Sequence, residues 1–129
     1  TRLGPVGVAL YSIGYLAAVA YPCDAGCRPG DPSISQALHN LLGLIGYLTA
    51  PATLFLLAWQ ARRWPRGGAV ALVALVGGVC ASIGLLSFSP DFEFAGVSQR
   101  LIEGGMLAWI FACGIYTLRP RSSAHSSSS

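Results

Sequence analysis

Three groups of residues carry chemically capable side chains. The stretch YPCDAGCRPGD, residues 21–31, sets Cys23 and Cys27 around Asp24. Farther on, Gln36, His39, Asn40, Gly43 and Tyr47 recur at the spacing of one helix face. Near the end, Gln99, Arg100 and Glu103 form another polar patch. Two thiols, an imidazole and a carboxylate could in principle bind zinc, which wants three or four such ligands. The cysteines are not spaced C-x-x-C and no second pair follows, so the metal signal is weak. A haem on His39 is weaker still, for want of a second ligand or attachment motif. No metal or other cofactor is expected. Nucleophile elbows, H-E-x-x-H motifs and phosphate-cradling glycine loops are absent. No catalytic residue is assigned, and whether the chain is an enzyme stays open, leaning against.

The elements that position these groups are apolar. Of the 129 residues, 53% are hydrophobic and 10% charged, against about a quarter charged in soluble domains. The apolar residues gather into four runs, at about residues 3–21, 37–60, 68–88 and 101–118. Each approaches the roughly 20 residues that a helix needs to cross the hydrocarbon layer. The runs do not alternate and are too few for a barrel. The expected fold is all-α: a four-helix transmembrane bundle over residues 1–120, with a disordered serine-rich tail at 121–129.

Four spans place Arg2, Arg62, Arg63, Arg66, Arg119 and Arg121 on one side, and Arg28 and Arg100 on the other. That bias puts both termini in the cytoplasm, as expected of a bacterial inner-membrane, multi-pass protein. All five acids fall on or near the opposite, outer side. Cys23 and Cys27 then face a compartment where a disulfide can persist, and such a bridge is preferred to a metal. The basic residues form no nucleic-acid patch, so no nucleic acid is expected as a partner. Thr1 is not a methionine, which suggests processing or a longer parent chain.

Finer features follow. Ser33 and Gln36 fit a capping box at the start of the second helix. Trp59 and Trp64 flank the arginine turn as interfacial aromatics do. Gly14 with Ala18, Ala74 with Gly78, Gly77 with Ala81, Gly78 with Ser82, and Gly104 with Ala108 allow close helix approach. Arg100 can meet Glu103 on one face, but its order opposes the helix dipole. Asp24, Asp91 and Glu93 are therefore its expected main partners. Phe92 and Phe94, alternating with Asp91 and Glu93, could lie in the headgroup layer. Asp24, His39, Asn40, Gln99, Arg100 and Glu103 make up an expected outer polar cluster, for binding or for structure.

Taken together, YPCDAGC closing one span, His39 opening the next, and GVSQRLIEGGMLAWI in the last resemble the bacterial membrane family called domain of unknown function 998. The matching residues are Pro22, Cys23, Asp24, Gly26, His39, Gly96, Gln99, Arg100 and Trp109. The resemblance covers about residues 3–118 and implies membrane helices. Its members usually have about six spans, of which this chain resembles the last four. It implies no reaction. Two functional expectations result. The first is a structural or accessory subunit that packs against partner transmembrane helices or a second copy. The alternative is a membrane enzyme or lipid-binding protein with an outer-leaflet polar site, where Asp24, His39 and Glu103 could share acid–base work. Membrane lipids are expected partners in either case.

Overall fold

The computed structural model describes residues 3–27, 30–88 and 95–118. Helices α1 (Leu3–Ala20), α2 (Ile34–Ala61), α3 (Gly68–Leu86) and α4 (Ala95–Leu118) follow in order, with a single 3-10 turn at Ala25–Cys27. All four are long and apolar enough to cross a membrane. The fold is all-helical. The serine-rich tail and the segment holding Asp91, Phe92, Glu93 and Phe94 lie outside the described residues.

Two helices begin earlier than their apolar runs. Helix α2 starts at Ile34, not 37, because Ser33 accepts the Gln36 backbone N–H at 3.1 Å and caps it there. Helix α4 starts at Ala95, not 101, so Gln99 and Arg100 lie within it. Polar residues wind as readily as apolar ones above the hydrocarbon, and hydropathy marks only where the apolar part begins. At 28 residues, α2 is about 42 Å long, well over the roughly 30 Å of hydrocarbon. Its first turns therefore have room to stand in the headgroup layer.

The helices pack as an open series. Helix α1 lies on α2, α2 on α3, and α3 on α4, while α2 and α4 touch over a smaller area. Helix α1 makes no comparable contact with α3 or α4. Glycine sets two of these approaches. A Cβ on Gly14 would lie 3.0 Å from the Leu42 carbonyl, where α1 crosses α2. A Cβ on Gly105 would lie 2.7 Å from the Gly77 carbonyl, so the α3 and α4 backbones meet there. Ala74, Gly77, Gly78 and Ala81 are buried, as small residues at a helix interface should be. Gly104 and Ala108 differ: both face outward, and the packing glycine of that turn is Gly105.

Leu54, Ile102 and Met106 are fully buried between the helices, and Trp109 packs against all three core clusters. Ile13, Leu16 and Val19 of α1 and Leu107 and Phe111 of α4 point outward. An exposed apolar girdle suits lipid as solvent. At the arginine turn, Trp64 packs on Tyr116 with ring centroids 5.5 Å apart, and the Tyr116 hydroxyl donates to the Pro65 carbonyl at 2.9 Å. The Arg63 guanidinium sits 3.9 Å above the Trp59 ring. This end of the bundle is closed by contacts, while the opposite end holds a cavity.

Candidate ligand cavity

The site is assembled by the loop after α1. Cys23 and Cys27 are joined as a disulfide with Cα atoms 5.1 Å apart. The ring they close turns through Gly26 at φ 77° and Cys27 at φ 55°, both left-handed. Asp24 fastens this loop to α2. Its carboxylate accepts from the Ser33 backbone N–H at 2.9 Å and from the Ser33 hydroxyl at 2.7 Å. Its own N–H donates to Gln36 Oε1 at 2.8 Å. The capping box therefore has a third member: Gln36 does not return to the Ser33 N–H as the motif predicts, because Asp24 takes that place. Gln36 is buried, and its amide also donates to Asn40 Oδ1 at 2.9 Å.

The Ser33 N–H and then the Ser33 hydroxyl hold the Asp24 carboxyl below the usual carboxylate range. A carboxylate with a depressed folded pKa stabilises above its unfolded pKa, and that help is lost as pH falls through the lowered value. Acidification from about pH 6 to about pH 3 should thus lower the melting temperature of the wild type more than that of Asp24→Asn. Parallel melts in a non-ionic detergent measure the difference.

Beneath this loop lies a cavity of about 780 Å3. Its walls come from three helices. Tyr11, Gly14, Tyr15 and Ala18 belong to α1, and His39, Asn40, Gly43, Leu44, Gly46 and Tyr47 to α2. Gln99, Arg100 and Glu103 belong to α4, while Cys23, Cys27 and Phe88 complete the lining. The α1 and α4 backbones form opposing walls without close packing, and side chains bridge them: Tyr15 reaches Glu103, and Tyr11 shares a core cluster with Ile102 and Met106.

Glu103 is the anionic centre. Its side chain is 13% exposed, with Arg100 Nη1 2.8 Å from Oε2. The Tyr47 hydroxyl donates to Oε1 at 3.2 Å, and the Tyr15 hydroxyl lies beside the same carboxylate. Among the described residues Arg100 thus pairs with Glu103, and Asp24 is not its partner. Asp24 is committed to Ser33, and Asp91 and Glu93 lie outside the described residues. The unfavourable dipole order is a small term beside a direct ion pair. The Arg100 side chain remains 83% exposed.

His39 Nδ1 lies 2.9 Å from the Tyr21 carbonyl. A carbonyl can only accept, so Nδ1 carries the proton, and Nε2 of the neutral ring is an acceptor. Rings crowd the carboxylate: Tyr11 and Tyr15 are 5.3 Å apart, and Tyr47 and Phe88 meet edge to face at 5.9 Å.

Of the six expected cluster residues, His39, Asn40, Gln99, Arg100 and Glu103 line one cavity. Asp24 does not, and serves to fasten the loop. Tyr11 and Tyr15 are wall residues that the polar pattern missed. Their signal was present, since Tyr11, Gly14, Tyr15 and Ala18 share one helical face. Among the described residues, no three His, Cys, Asp or Glu side chains converge as metal ligands.

A family model described as "Protein of unknown function (DUF998)" matches residues 1–116. No curated protein and no solved structure matches the chain.

Proposed function

The chain belongs to the DUF998 family, and on that premise we propose that this multi-span membrane protein binds a membrane amphiphile in its outer-end cavity. The cavity itself carries this reading. At about 780 Å3 it falls within the 300–1,000 Å3 of small-molecule sites. Arg100, Tyr15 and Tyr47 gather on the Glu103 carboxylate, and apart from His39, Asn40 and Gln99 the rest of the wall is largely aromatic and aliphatic. The α1 and α4 backbones that flank the cavity do not pack closely, so an acyl chain would stay in lipid between them while the headgroup enters. The arginine distribution supports an inner-membrane setting with both termini cytoplasmic and the cavity on the outer leaflet. The accessory-subunit reading drew on the chain's size, short loops and lack of a catalytic template as well as on small-residue faces. Of those faces, Gly14, Gly77 and Gly105 are spent within the bundle, while Gly104 and Ala108 face outward.

Gly43 offers a clean test. It lines the cavity, and a Cβ there would meet nothing within 4 Å. Gly43→Phe should fold normally and fill the cavity with its ring. Native mass spectrometry after equilibration with equimolar phosphatidylethanolamine and phosphatidylglycerol should show lipid held by the wild type and about ten-fold less by the variant. Equal retention by both would sink the reading.

A further inference from the structure

The cavity has a polarity that selects among headgroups. Arg100 precedes Glu103 by three residues, so its backbone lies about 4.5 Å nearer the outer end of α4. The cation is outermost and exposed; the anion is inside, among tyrosines. The groups around Glu103 favour a cationic guest. The carboxylate and the rings of Tyr11, Tyr15 and Tyr47 attract an ammonium. His39 lines the same space with Nε2 as an acceptor. The wider field agrees, since among the described residues Asp24, Asp31 and Glu103 stand against Arg100 at this end. An anionic headgroup would enter against that field, and Arg100, the arginine that lines the cavity among the described residues, is already paired with Glu103.

We propose that the ligand is a phospholipid with a primary ammonium headgroup. Its ammonium sits at Glu103 and its phosphate at Arg100. The Arg100 end of the pair is 83% exposed, so its guanidinium can turn from the half-enclosed Glu103 to the phosphate as the ammonium replaces it. Each charge then keeps a partner throughout, and no ion is left bare in a partly apolar space. A primary ammonium has three N–H donors for the carboxylate, the imidazole and a tyrosine oxygen, whereas a quaternary choline has none.

This inference rests on the amphiphile reading, and the two fail separately. Native mass spectrometry is run on the full chain with phosphatidylethanolamine in equimolar competition, first with phosphatidylglycerol and then with phosphatidylcholine. The wild type should prefer phosphatidylethanolamine by about ten-fold over phosphatidylglycerol, and less strongly over phosphatidylcholine. Glu103→Gln should bring the first ratio close to one. A purely structural defect would lower both lipids together and leave that ratio alone. Gly104→Ala, on the outward face of the same helix, should keep the wild-type ratio. Lipid bound without preference for the ammonium, or a preference that survives Glu103→Gln, overturns the headgroup assignment and leaves the cavity reading standing. Binding of no lipid at all overturns both. Displacement by soluble glycerophosphoethanolamine at equal concentration would show that the chains contribute nothing, and would overturn the lipid as ligand.

Discussion

Gly105→Leu is expected to separate α3 from α4 and to destabilise the bundle by about 3 kcal/mol or more, the upper end of overpacking costs. The Cβ alone would lie 2.7 Å from the Gly77 carbonyl and 3.1 Å from the Gly77 Cα. These are backbone atoms, so no side chain can rotate away, and the helices themselves must part. Parting them strips packing from Ile102 and Met106, both fully buried on α4. In lipid, helix association depends on such packing, since no hydrophobic force draws the helices together. The neighbouring Gly104→Leu should change stability by only about 0.5 kcal/mol, because its Cβ meets nothing within 4 Å. Melting both variants in the same mild detergent gives the comparison. A Gly105→Leu protein as stable as the wild type would refute the backbone contact.

Gln36→Leu is the second large effect, at about 1–3 kcal/mol, the cost of leaving buried polar groups unpaired. One side chain here serves two others: Oε1 accepts from Asp24 N–H and the amide donates to Asn40. Leucine matches the size and supplies neither bond. The loop that roofs the cavity would lose its hold on α2, while Ser33 would keep its grip on the Asp24 carboxylate. Exchange of the Asp24 amide hydrogen should speed up, and reduction of the Cys23–Cys27 bridge with it. Gln36→Glu should recover part of the loss. It keeps the acceptor for Asp24, and the Asn40 amide can turn to donate instead of accept. If leucine at position 36 left both rates unchanged, Gln36 would not be what ties the loop down.

Much of this organisation was legible in the sequence. Four apolar runs announced four helices, and the stripe from His39 to Tyr47 announced a face that cannot meet lipid. The helix starts were less legible, since Gln99 and Arg100 look like loop to a hydropathy scale while satisfying every requirement of a helix. Small-residue spacing identified the helices that pack closely but chose Gly104 over Gly105. A one-residue step rotates a helix by about 100°, and only the partner's position says which glycine faces it. A dipole argument weighs the helix alone and so passes over Glu103 as a partner for Arg100. In the structure, Glu103 also gathers Tyr47 from another helix, which fixes it where Arg100 can reach. Asp24 stood beside two cysteines and looked like a site residue. Its role became visible only when Ser33, nine residues on, was found holding it.

That the α1 backbone packs closely on α2, and meets α4 only through side chains such as Tyr11 and Tyr15, has a kinetic meaning for the proposed ligand. A lipid leaving a sealed pocket through water must hydrate its chains, at about 0.8 kcal/mol per methylene, or roughly 13 kcal/mol for a chain of about sixteen carbons. Under the proposed function, a lipid leaving sideways between α1 and α4 would keep its chains in hydrocarbon but would have to part Tyr15 from Glu103. Its exchange rate would then be governed by breaking the headgroup and tyrosine contacts, with chain length almost irrelevant. Turnover at this site would resemble two-dimensional diffusion past a latched door.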